Sequence, residues 1–197
     1  MAQHQAIAAT AQSIERFLSF CFEADEPVSG RTTRAVLVRT EDLRSEDNTG
    51  AIVPPTLSIF LYRVDVNRTM RAAWSAVASH DGRVHLPLDL HFLVTPWADN
   101  ATHEHLILGR AMQCLEVTPI LAGPLLDPLA GWRPHEAVQV CHENLTTEDL
   151  MRTFDSLPVD YRLSAPYVAR VVRVDGPGAI APDVTEAIAR AAPDLGA

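Results

Sequence analysis

Val84-His85-Leu86-Pro87-Leu88-Asp89-Leu90-His91-Phe92-Leu93-Val94-Thr95-Pro96-Trp97 carries the most regular pattern in the chain. Leu86, Leu88, Leu90, Phe92 and Val94 fall on even positions and alternate with Asp89, His91 and Thr95, the two-residue period at which strand side chains point to opposite faces. The stretch predicts a β-strand that buries its even face and turns Asp89, His91 and Thr95 outward.

Upstream, Thr56 to Val66 sets Leu57, Ile59 and Leu61 against Phe60, Tyr62 and Val64. Both faces are apolar, so this strand belongs in the middle of a sheet. Between the two strands, Asn67 to Arg83 has no clean period, and Asp81-Gly82 signals a turn. Ala35-Val36-Leu37-Val38 reads as a short strand, and Glu41 to Gly50 as an exposed loop. The chain opens with a helical stripe of Ile7, Ala11, Ile14, Phe17, Leu18 and Cys21.

Downstream, Asp99, Asn100 or Thr102 can cap a helix whose expected inner stripe is Leu106, Gly109, Met112 and Leu115, stopped by Pro119. Gly123 to Pro134 is a loop and Ala137 to Glu143 a short strand. Thr146 opens a second helix that faces inward through Leu150, Phe154 and Leu157, and Pro158 ends it. Tyr167 to Val174 is the last strand. The order α-β-β-β-α-β-α-β predicts a single α/β (α+β) domain: a mixed, mostly antiparallel sheet with helices packed on one side. Residues 1–175 form the expected core domain. Residues 176–197, rich in Gly, Pro and Ala, form a flexible tail expected to order only against a partner.

The 197 residues suffice for a self-supporting core without staples. The net charge of −9 argues against general affinity for nucleic acid or anionic lipid, which need clustered cations. Every basic residue is Arg. Cys21, Cys114 and Cys141 are odd in number and form no Cys-x-x-Cys pair, so they read as small buried residues in a reducing compartment. Met1 to Thr10 lacks signal-peptide character and no apolar run spans a bilayer, so the expected location is the cytoplasm.

The search for chemistry returns little. His103 and His105 are two apart, whereas a helical zinc pair needs a spacing of four. Cys141 and His142 are adjacent on a strand and point to opposite faces. Asp89 and His91 share a face, but no nucleophile is placed with them. No phosphate-binding loop, dinucleotide fingerprint or nucleophile elbow is present. No catalytic, cofactor-binding or metal-binding residue is assigned. Arg68, Met70, Arg71 and Trp74, with Tyr167, Arg170 and Arg173, are instead candidates for protein contact, because Arg, Trp, Tyr and Met are enriched in interface cores.

Taken in order, several segments resemble one family. Ser58-Ile59-Phe60-Leu61-Tyr62-Arg63-Val64, followed by Asn67-Arg68-Thr69-Met70-Arg71, is similar to the LFLYxVxxNxxxR strand and turn of the cap proteins of extracellular contractile injection systems. Leu86 to Val94 resembles their LxLDLxYLLT strand, and Leu108-Gly109-Arg110-Ala111-Met112-Gln113-Cys114-Leu115 their LLGxxxxxL helix, with Pro119-Ile120-Leu121 as its exit. Leu145 to Leu150 with Phe154, and Tyr161-Arg162-Leu163-Ser164-Ala165-Pro166-Tyr167-Val168, resemble two further segments, with Phe154 where a Trp is common. The likeness runs from about Ala6 to Val174. It implies a non-enzymatic, homohexameric tail terminator that closes the baseplate-distal end of the tube and sheath of a phage-tail-like particle. Its implied partners are further copies of itself, the sheath protein and the inner tube protein. Alternatives from other classes are a small-molecule-binding α/β domain and a hydrolase with a non-obvious site.

Overall fold

The computed structural model describes residues 4–44, 52–74 and 84–176. The Asp81-Gly82 turn and the tail after Gly176 lie outside these residues. Among the described residues, four helices and six strands follow one another as α1 (Ala6–Ala24), β1 (Arg34–Val38), β2 (Thr56–Val66), α2 (Arg68–Arg71), β3 (His85–Trp97), α3 (Ala101–Val117), β4 (Ile120–Ala122), β5 (Ala137–His142), α4 (Thr147–Asp155) and β6 (Ala165–Asp175). Short 3-10 turns cover Thr40–Leu43, Gly123–Leu125 and Pro128–Ala130. No described helix is long and apolar enough to cross a membrane.

The strands form one sheet in the order β1-β2-β3-β6-β5-β4, with β1 parallel to β2 and every other pair antiparallel. The sheet is thus mixed and mostly antiparallel, as the sequence predicts, and β3 lies near its centre. Two irregularities bend it. Tyr62 is an extra residue on β2 between the pairs Leu61–Phe92 and Arg63–His91, and Arg170 and Val171 on β6 together face Asp89. Such bulges re-aim the side chains around them.

One face of the sheet buries Leu57, Ile59, Leu88, Leu90, Phe92, Val94 and Ala169 beneath α1 and α3. Of the expected stripe of α1, Ala11, Ile14, Phe17 and Leu18 are buried and Ile7 and Cys21 partly buried, and Thr10 and Ser13 join it because their hydroxyls donate to the carbonyls of Ala6 and Ala9, leaving no bare polar atom. Helix α3 is capped by Asn100, whose Oδ1 accepts the His103 N–H at 2.9 Å. Its inner stripe differs from expectation: Ile107, Leu108, Ala111, Cys114 and Leu115 are buried, whereas Leu106 is 49% exposed and Met112 is also exposed. The two candidate stripes are similarly apolar, and contact with α1 and the sheet decides between them.

The opposite face corrects the reading of β3. Leu93 and Trp97 are buried with Val38, Leu43, Phe60 and Phe154, and His91 and Thr95 are buried on the same side. Helix α4, capped by the Thr146 hydroxyl, brings Phe154 across this face, adding a cover to the two long helices on the other side. Leu43, from a stretch expected to be an exposed loop, sits in a 3-10 turn and closes the cluster. β4 was expected only as a helix exit; it pairs Ile120–Ala122 with β5.

The β1 edge of the sheet is sealed by α1. Ser19 Oγ accepts the Ala35 N–H at 3.2 Å and approaches the Ala35 carbonyl at 3.4 Å, and Glu15 Oε1 accepts the Leu37 N–H at 3.1 Å. Outward-facing backbone groups that would otherwise template another strand are therefore occupied. The double variant Glu15→Ala, Ser19→Ala is expected to lose about 2 kcal/mol, with a melting midpoint lower by about 5 °C. An unchanged melt would show that these bonds do not hold the edge.

Candidate functional site

Of the contact residues expected from the sequence, Arg68, Met70, Arg71, Trp74 and Arg173 fall at the end of the sheet where β3 begins and β6 finishes. Asn67 starts α2 by accepting the Met70 N–H on Oδ1 at 3.0 Å, while its Nδ2 donates to both carboxylate oxygens of Asp89 at 3.1 Å. This side chain fixes the turn to β3. Arg68 and Arg71 are exposed, Met70 and Trp74 half-buried. The Trp74 carbonyl accepts the His85 N–H at 3.0 Å, and the Arg173 guanidinium lies 5.8 Å from the Trp74 ring centre, within cation–π range.

Arg173 is the hinge of an ionic cluster. Its Nη2 reaches Glu136 Oε1 at 2.5 Å and its Nε stands 2.9 Å from Asp175 Oδ1, which also receives His85 Nδ1 at 2.6 Å. Arg133 Nη2 lies 3.7 Å from the other Asp175 oxygen. The Asp175 side chain has no solvent exposure. Trp74 and Arg173 are thus brought together, and Trp132, His135 and Val171 join them around a cleft of about 210 Å³. Arg170 is exposed at the β6 bulge. Tyr167 is placed otherwise: it is 5% exposed, edge-on to His142 with centroids 5.5 Å apart. Its phenol is pushed up to about 12, mainly by burial and further by the charge of Glu116. The two-residue alternation of β6 puts Tyr167 on the core face with Ala169, so it offers no contact surface in this fold.

A second cluster surrounds His91. Its Nδ1 lies 2.8 Å from Glu143 Oε2 and its Nε2 3.3 Å from Asp65 Oδ2, with Arg63 bridging Glu143 at 3.1 Å and Asp65 at 3.0 Å. The Tyr62 hydroxyl donates to Glu143 Oε2 at 3.1 Å. Burial first, and then the neighbouring Glu143 carboxylate, raise the Tyr62 phenol far above the ordinary tyrosine range, so it remains a neutral donor. Asp89, which the sequence places on one strand face with His91, is engaged by Asn67. His91 is not an outward residue of a polar face but the centre of a satisfied network.

What this arrangement can do chemically is limited by how fully its groups hold one another. The carboxylates of Asp65 and Glu143 lie on different nitrogens of His91, and no Ser or Cys side chain among the described residues is hydrogen-bonded to that ring. Glu104 of the His103-Glu104-His105 triplet pairs with Arg162 at 3.3 Å, and Cys141 Sγ points to the Val168 carbonyl while His142 turns to Tyr167. Among the described residues, no group of three or more His, Cys, Asp or Glu is arranged to hold a metal ion. An open depression of about 790 Å³ beside α4 is lined by Met151, Phe154, Leu157, Val159 and Tyr161 with Arg162 at its rim. Arg162 is committed elsewhere, 4.2 Å over the Trp97 ring.

Sequence reasoning missed Tyr62, Arg63, Asp65, Glu143, Glu136 and Asp175. The polar alternation of Arg63 and Asp65 on β2 was a usable signal for that pair. Glu143 and Asp175 lie 80 and 90 positions from their partners Arg63 and His85, and nothing local marks them.

Comparison with known proteins gives a consistent answer. The family model described as the Pvc16 N-terminal domain matches residues 9–186. No curated protein matches the chain. Among solved structures, the chain is similar to the sheath/tube terminator of an extracellular contractile injection system, PVC, seen by cryo-EM in the extended state. The identity is 20%, the TM-score 0.50, and the match covers 84% of this chain and 56% of that one. At that identity the likeness shows a shared fold, and the chain spans little more than half of the terminator's length.

Proposed function

The chain belongs to the family of the Pvc16 N-terminal domain, and from that membership we propose that it is a non-catalytic terminator that closes the baseplate-distal end of the tube and sheath of a contractile injection particle. The observation that carries this reading is the family match over residues 9–186, supported by the fold shared with a sheath/tube terminator. Its partners in this reading are further copies of itself in a hexameric ring, the sheath protein and the tube protein. It is assembled in the cytoplasm and leaves the cell with the particle.

A terminator needs a rigid unit with specific contact surfaces, because symmetric rings are built from repeated complementary patches. The ionic clusters around His91 and Asp175 favour rigidity, since each ties side chains from separate segments to one buried group, His91 to Asp65 and Glu143 and Asp175 to Arg173 and His85. Contact falls to Arg68, Met70, Arg71 and Trp74 with Arg170 and Arg173, where an aromatic anchor and cations gather at one end of the sheet. The core domain ends near residue 175, and residues 176–197 form a tail that joins a neighbouring subunit.

The test is a producing strain in which the chain is removed and then resupplied as parent or as Trp74→Ala, Arg170→Glu. Electron microscopy should show tube and sheath of irregular length without the chain, uniform particles with the parent, and poor restoration by the folded variant. Uniform particles in the strain lacking the chain would overturn the reading.

A further inference from the structure

The two ends of the sheet carry unlike surfaces. Where β3 begins and β6 finishes, Trp74 and Trp132 line the cleft of about 210 Å³ with Ala137 and Val171, and its Arg173 and Glu136 are paired with each other. The Trp74 N–H donates to the Met70 carbonyl, so this indole follows directly on α2. Arg68 and Arg71 stand exposed on that helix, and neither guanidinium has a carboxylate partner among the described residues. At the far end, Glu23, Asp25 and Glu26 are exposed where α1 stops, and of the three only Asp25 has a cationic partner among the described residues, Arg110 at 3.4 Å. Phe20, one turn earlier, is 67% exposed.

Helix α1 runs against β1, with Ser19 at Ala35 and Glu15 at Leu37, so its last turn lies where β1 starts. Arg34 there pairs with Thr56, and Thr56 with Trp97, the last residue of β3. His85, the first residue of β3, pairs with Asp175 at the other end. The 13 residues of β3 therefore separate the two surfaces, by roughly 40 Å at the rise of a strand. On one copy they are too far apart to meet.

We propose, on the reading of the chain as a terminator, that successive copies join head to tail: the α1 end of one copy, through Phe20, Glu23 and Glu26, docks on the Trp74 and Trp132 cleft of the next, beside Arg68 and Arg71. Two cationic ends or two acidic ends repel, so the complementary contact joins unlike surfaces and is heterologous. A contact of that kind repeats from copy to copy and makes a ring when its rotation closes. The Phe20 ring is the apolar anchor, and two indoles are fitting partners for it because aromatic pairs favour edge-on and offset packing. The charges about it set the orientation. With −9 on the chain as a whole, a further copy is itself drawn to a cationic end.

The test resupplies a strain lacking the chain with the parent, with Arg68→Glu, Arg71→Glu, or with Glu23→Arg, Glu26→Arg, and measures the chain on purified particles by quantitative mass spectrometry. All four positions are exposed, so the purified variants should melt with the parent. Each reversal alone should lower retention by about tenfold or more, because it sets like charges face to face. Supplied together, the two variants should restore it, since an alternating order pairs every reversed surface with a reversed one. Phe20→Ser should lower retention in the same way and decides the matter if a reversed variant fails to fold. Parent chain missing from the particles would overturn the terminator reading and the head-to-tail contact with it. With the parent present, a reversal retained at the parental level, or joint supply no better than either variant alone, would overturn the contact only. Loss confined to the arginine reversal would assign the cleft to the sheath or tube protein, and nucleic acid that co-purifies with the parent but not with that reversal would assign it to a polyanion; either result overturns the pairing of copies.

Discussion

Replacing Leu90 with aspartate is expected to leave no folded protein in the soluble fraction. Leu90 is 0% exposed, at the centre of β3, opposite Val64 on β2 and Ala169 on β6. Removing the leucine side chain from this site forfeits about 2–3 kcal/mol of apolar burial. The carboxylate that replaces it has no partner among Leu88, Phe92, Ile107 and Leu115 of the same core, and its desolvation adds several kcal/mol more. The sum rivals the whole stability of an ordinary domain, about 5–15 kcal/mol. Leu90→Met keeps volume and polarity and should cost under about 1.5 kcal/mol, so it controls for expression. Soluble yield, far-ultraviolet dichroism and a thermal melt decide the matter: soluble Leu90→Asp with the parental melting midpoint would mean that the core does not lie on this face.

That prediction rests on the part of the fold that was legible. The even positions of β3 carry five apolar residues in a row of two-residue steps, and no other secondary structure buries that set together. The odd positions misled because Asp89, His91 and Thr95 look like a solvent face. Yet His91 and Thr95 are buried on the side that carries Phe154, Val38, Leu43 and Phe60, with Glu143 on His91 and Ser164 on Thr95, while Asp89 is held by Asn67; the chain delivers these partners from far away in sequence, and burial of a polar residue is decided by such partners rather than by its own neighbours. Helix α3 failed for a different reason. Both Leu106 with Met112 and Ile107 with Ala111 and Cys114 satisfy helical spacing, so periodicity alone left two stripes open. The candidate contact residues divide in the same way: Trp74 and Arg173 meet across the sheet end, while Tyr167 follows the register of β6 into the core. The family resemblance survived these local errors because it depended on the order of several segments, which shifts of a helical face do not disturb.

The same polar groups that the sequence concealed should carry the second large effect. Asp175→Ala is expected to lower stability by about 3–5 kcal/mol, the cost of leaving buried cations without their counter-charge. Arg173 Nε, His85 Nδ1 and Arg133 Nη2 all converge on this one carboxylate, and its side chain is wholly out of solvent. For a chain of this length the melting midpoint should fall by about 10 °C or more. Arg152→Ala supplies the contrast, since its pair with Glu148 is 71% and 72% exposed and such surface pairs contribute little; its melt should match the parent's. A further variant tells a charge effect from a packing effect. If unpaired charge is the cause, adding Arg173→Met to Asp175→Ala should restore part of the loss, because it withdraws the guanidinium now lacking its partner, although Glu136 then loses a contact at 2.5 Å. The coupling read from that cycle should be favourable by about 1 kcal/mol or more. An Asp175→Ala protein that melts with the parent, or a double variant that simply adds two independent losses, would show that the cluster at the end of β6 is ornamental to stability and that the sheet end is held by its apolar residues alone.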